Sequence, residues 1–179
     1  DKVGLSGVVE TVNESATRMA EKSCLILKQR LANLGLNENI SFGFGNSKIE
    51  SMLTTKPVIK VSNPITVDFD CMRNCLLGNQ LIALSQNIKR GFPDMNICEL
   101  GTVFDGDMPG NQHTQICIVR SGATSPKHWM HRNRNVDVFD VKNDILELIG
   151  NQKYTVEKSD APKWAHPDFS VADLHRPCI

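Results

Sequence analysis

Apolar side chains recur along this chain in two rhythms, one helical and one extended, and their alternation lays out its elements. Ala20, Cys24, Leu27, Leu31 and Leu34 repeat at four, three, four and three. That spacing predicts a helix from about Ser15 to Leu34, with Gly35 as its C-terminal stop. Leu77, Leu81, Leu84 and Ile88 step by four, three and four, which predicts a second helix with a buried apolar face, ended by Gly91 and Pro93. Asp140 offers an N-cap to a third helix running to Ile149, with Ile145, Leu148 and Ile149 turned inward and Gly150 beyond it.

The extended rhythm fills the gaps. Met95 to Phe104 is short, rich in Ile, Val and Leu, and followed by Asp-Gly-Asp, so it reads as a strand entering a turn. Gln115 to Arg120 reads as its antiparallel return. Ile40 to Phe44 and Val58 to Val61 read as two further strands, the second closed by the Asn63-Pro64 turn. Strands interrupted by helices without strict βαβ alternation predict an α+β fold, a mostly antiparallel sheet flanked by helices. No repeat, low-complexity tract or linker divides the chain, so residues 1–179 read as a single domain.

Composition narrows the partners. Twenty basic side chains balance twenty acidic ones, so no global field draws the chain to nucleic acid or membrane, while a local basic patch stays open. No apolar run approaches membrane-spanning length and the first residues lack the features of a secretory signal, so a cytoplasmic, membrane-free protein is expected. The six cysteines, at 24, 71, 75, 98, 117 and 178, are then expected as reduced thiols, with Cys24, Cys98 and Cys117 acting as small buried hydrophobes.

Most candidate chemistry is thin. Cys71 and Cys75 with His128 and His131 could be assembled into a zinc site, but neither pair has the Cys-x-x-Cys spacing. Gly43-Phe44-Gly45-Asn46-Ser47-Lys48 has the flavour of a phosphate loop without its four-residue gap, and a plain strand-to-loop transition is the better reading. Cys75 or Cys98 with a distant His would make a nucleophile, yet nothing in the sequence joins them. The segment Lys127-His128-Trp129-Met130-His131-Arg132-Asn133-Arg134 carries more weight. Basic residues interleaved with an indole can hold phosphate and stack on a base, which makes Lys127, Arg132 and Arg134 candidate RNA contacts.

An ordered series of short motifs adds to this. Gly35-Leu36-Asn37-Glu38, Phe42-Gly43-Phe44, Asn63-Pro64-Ile65, Met72-Arg73 with Leu76-Leu77, Asn87 and Arg90, Cys98-Glu99-Leu100-Gly101-Thr102-Val103-Phe104, Val136 to Lys142, and His166-Pro167 follow one another along the chain. From about Arg30 to Pro167 the series resembles the catalytic-like module of the bacterial phenylalanyl-tRNA synthetase beta subunit. The chain departs from that pattern at Asn74-Cys75, at Gly78-Asn79, at Asn143, and at Asp168-Phe169-Ser170, where the family shows Gly-Arg-Ser.

The resemblance implies a class II synthetase-like fold that has kept its scaffold and lost its active site, truncated here before the later strands, with residues 1–14 a linker from an upstream domain. The two arginines that stabilise an adenylate-forming transition state are not evident. The strand ending in Val103-Phe104 is followed instead by Asp105, whose carboxylate would repel ATP phosphates. No catalytic, cofactor-binding or metal-binding residue is therefore expected in the chain itself. For the whole enzyme the resemblance implies ATP- and Mg²⁺-dependent charging of tRNA(Phe) by an alpha2-beta2 heterotetramer with the active site in alpha. The apolar stripes Ala20 to Leu34 and Leu77 to Ile88 would be partner surfaces, and Trp129 would pack on the core. Two other readings remain: a free-standing degenerate synthetase paralogue binding RNA through Lys127 to Arg134, and an unrelated small α+β enzyme with a Cys or metal site.

Overall fold

The computed structural model describes residues 14–126, 128–130 and 133–150, with 155–156, 164–165 and 174–175. In chain order the elements are α1 (Glu14–Asn33), β1 (Asn37–Glu38), β2 (Phe44–Gly45), α2 (Ser47–Leu53), β3 (Cys71–Met72) and α3 (Leu77–Lys89). They are followed by β4 (Met95–Phe104), β5 (Gln112–Ser121), α4 (Val138–Ile149), β6 (Thr155–Val156) and β7 (Leu174–His175). No described helix is long and apolar enough to cross a membrane.

The centre is the β4–β5 hairpin, paired antiparallel without interruption from Met95 opposite Ser121 to Phe104 opposite Gln112. Side chains alternate across a strand, so the hairpin has two faces. Cys98, Ile116, Ile118 and Arg120 lie on one, and Glu99, Gln115 and Cys117 on the other. The first face packs against α1 and α4: Leu31, Leu36 and Cys98 form the buried apolar cluster, with Leu34, Ile116, Ile118 and Leu148 around it. Arg120 latches the layer by gripping Asp144 of α4 (2.5 and 2.8 Å) and donating to the Leu34 carbonyl at the end of α1 (3.0 Å). Arg30 in turn donates to the Leu148 carbonyl in the last turn of α4 (3.1 Å). The second face is covered by α3, with α2 behind it.

The outer helices and the hairpin follow the sequence pattern, and the expected α+β architecture holds. The sheet is mixed, since β1 joins β4 in parallel and makes the order β1-β4-β5. Five expectations need correction. Ile40 to Phe44 is not a strand: only Phe44 enters one, and Ile40 and Phe42 point to solvent. Side chains take this segment's backbone groups in place of a neighbouring strand. Glu99 accepts the Ser41 N–H, and Asn79 Nδ2 donates to the Phe42 and Phe44 carbonyls (3.1 and 3.0 Å). Val58 to Val61 contributes only a single bridge, Lys60 to Cys71.

The glycine-rich stretch 43–48 passes straight into α2, capped by the Asn46 side chain on the Lys48 N–H, not into a loop. The N-cap of α4 is Asp137 rather than Asp140. Asp137 accepts from Phe139 and Asp140, and Asp140 returns a bond to the Asp137 N–H, a complete capping box.

The largest revision concerns α3. Its buried residues are Gly78, Asn79 and Gln80, while Leu81 and Ile88 of the expected inner stripe are 38 % and 46 % exposed. Polar side chains face inward because the hairpin presents them with a buried carboxylate to satisfy.

Candidate functional site

That carboxylate is Glu99, in mid-strand on β4 and almost wholly buried. A buried ion persists only when paired and hydrogen-bonded, and Glu99 is supplied from three elements. Arg73, just after β3, brings Nη1 to 2.7 Å. Ser41 donates its hydroxyl at 2.8 Å and its N–H at 3.3 Å, and Gln80 of α3 donates its amide nitrogen. Arg73 also donates from Nε to the Thr102 carbonyl (2.8 Å) and from Nη1 to Ser41 Oγ (2.9 Å) and the Phe42 carbonyl (3.3 Å). Gln80 accepts from Asn39 (3.1 Å). The guanidinium passes so close to β4 that a Cβ on Gly101 would stand 2.5 Å from Arg73 Nη2.

A second buried carboxylate, Glu50 on α2, receives the backbone N–H groups of Asn74 (3.0 Å) and Cys75 (3.3 Å) just ahead of α3. No cation pairs with it among the described residues, and burial pushes its pKa above the usual carboxylate value despite those two bonds. Glu50 and Glu99 thus bracket the segment from Arg73 to Gln80 and fix its path between α2 and the hairpin. The sequence motif contains Glu99 but assigns neither acid a role, although a lone Glu inside the apolar run Ile97 to Val103 is the available signal.

At the far end of the hairpin, Asp105 is not a bare negative charge. It pairs with Lys56 and with His113 Nδ1 (2.5 Å). Lys56 first, and then His113, hold its carboxyl below the ordinary value. Two thiols, Cys71 and Cys117, are equally committed. Cys71 donates to the Gly45 carbonyl (3.2 Å), and burial raises Cys71 to about 11 and Cys117 to about 12, which removes the thiolate a nucleophile needs. Cys24, Cys71, Cys75, Cys98 and Cys117 all carry free thiols. Among the described residues no three ligand-type side chains converge on a point, and His131 lies outside them.

Of the three candidate RNA contacts, Lys127 and Arg132 lie outside the described residues. Arg134 is placed, forked onto Asp140 (2.6 and 2.7 Å) and reaching Asp137 (3.3 Å), so its charge is compensated at the N-terminus of α4. Trp129 does not pack on the core. It is 88 % exposed and stacks on His128, in the segment that follows the end of β5 at Ser121. Large apolar side chains are open elsewhere as well: Leu25 and Ile26 on α1, Phe92 after α3, and Ile65 and Val67 in the loop before β3.

The comparisons with known proteins agree with this picture. The model of the family described as the phenylalanyl tRNA synthetase beta chain CLM domain matches residues 9–172. The phenylalanine–tRNA ligase beta subunit of Rhodospirillum rubrum is 31 % identical over 155 residues, covering 84 % of this chain and 19 % of that protein. Its counterpart in Paramagnetospirillum magneticum is 34 % identical over 149 residues, 80 % of this chain and 19 % of that one. The chain therefore spans about a fifth (19 %) of the length of these relatives. Among solved structures, a pyrrolysyl tRNA synthetase of Desulfitobacterium hafniense superposes with a TM-score of 0.51 at 17 % identity, over 83 % of this chain and 55 % of that one. This is a likeness of fold alone, and the fold is class II synthetase-like.

Proposed function

The chain belongs to the phenylalanyl-tRNA synthetase beta chain CLM domain family, and from that membership we propose that it is a non-catalytic structural module supporting the charging of tRNA(Phe) by a separate alpha subunit. The observation that carries the reading is the fate of Arg73. Among the described residues it is the one buried arginine, and its Nε and Nη1 are taken by Glu99, Ser41 and two backbone carbonyls. An active site for adenylate formation needs cations free to meet phosphate as charge develops. The residue directly after the β4 strand is an aspartate already paired with Lys56 and His113. The described residues around Arg73 and Asp105 therefore do not fit ATP or Mg²⁺, and in our reading those belong to the alpha side of a cytoplasmic alpha2-beta2 assembly.

Assembly is supported by the exposed apolar residues of α1 and α3, Leu25, Ile26, Leu81 and Ile88, since such surface commonly marks a partner face. The test combines phenylalanine-dependent ATP–pyrophosphate exchange with thermal melting in the presence of the alpha subunit. We expect no exchange by the chain alone. A partner that binds only the folded form should raise the melting temperature, by mass action. Exchange activity that Arg73→Ala abolishes, or a melt indifferent to alpha, would refute the reading. The contacts of Lys127, Arg132 and Arg134 with RNA stay a proposal within it, and Arg132 is the sharper probe because Arg134 is bound to Asp140.

A further inference from the structure

We draw no further inference here: the strongest candidate, the exposed apolar patch where Phe42 meets Phe69 in the loop before β3 that also carries Ile65 and Val67, carries nothing because nothing in the structure shows what covers it.

Discussion

The two faces of the β4–β5 hairpin solve the same packing problem by opposite means. Toward α1 and α4 the hairpin buries Leu31, Leu36 and Cys98 in a cluster that is small but wholly apolar. Toward α3 it buries Glu99, Arg73, Asn79 and Gln80, a network of interlocking directional hydrogen bonds. Apolar contact is non-directional, so the first face specifies little beyond volume and shape. Hydrogen-bonded ions are directional and costly when mismatched, so the second face fixes where residues 39–44 and 73–80 run, at the risk of a large penalty for any single loss.

The comparison can be broken or sharpened experimentally. Arg73→Ala should have the largest effect, a loss of about 3–5 kcal/mol in urea unfolding, because Glu99 is left as an unpaired buried charge. The double variant Arg73→Met with Glu99→Leu should recover much of that loss. If it does not, the network contributes more than mutual compensation of its charges. Leu31→Ala, on the opposite face, should lower stability by about 2–5 kcal/mol through a cavity that the surrounding side chains fill only in part. Combined with Arg73→Ala in a chain stable enough to be measured, its effect should add. A strong departure from additivity would mean that the hairpin couples its two faces.

Smaller effects test the periphery. Asp137→Ala removes the side chain that caps α4 and should cost about 1 kcal/mol in the same denaturation experiment. Glu50→Gln should be smallest at any one pH and is best seen as a slope. Since burial raises the folded pKa of Glu50 above its unfolded value, the acid's favourable contribution is present below the unfolded value and is lost as pH rises through the folded one. Wild type should therefore lose stability relative to Glu50→Gln on going from acidic to neutral pH. A difference that is flat with pH would show that the two backbone N–H bonds fully offset burial.

How much of this was legible in the sequence follows from the same contrast. The helix through Leu27 and Leu31, the strand from Met95 to Phe104 and its return were visible because apolar periodicity records apolar burial. The polar side was not, since Asn79 and Gln80 carry no periodic signal and their burial depends on Glu99, about twenty residues further along the chain. Ile40 and Phe42 looked like strand residues by type and alternation, yet the Ser41 between them is the one that faces inward, onto Glu99. The seven residues of α2 were too few to show a period. The family resemblance placed the right motifs in order and implied the class II fold, but it set Trp129 in the core, where the structure has it in solvent.

One feature of the polar face bears on history as much as on stability. A side chain at position 101 would collide with Arg73 Nη2 at 2.5 Å, and that nitrogen belongs to a guanidinium anchored by bonds to four neighbouring residues. The two sites are therefore coupled. A lineage that shortens Arg73 and neutralises Glu99 first opens space for a side chain at 101, whereas one that alters Gly101 first must displace the guanidinium from its bonds. Reconstructed intermediates along both routes would show the asymmetry as a larger loss of stability on the second.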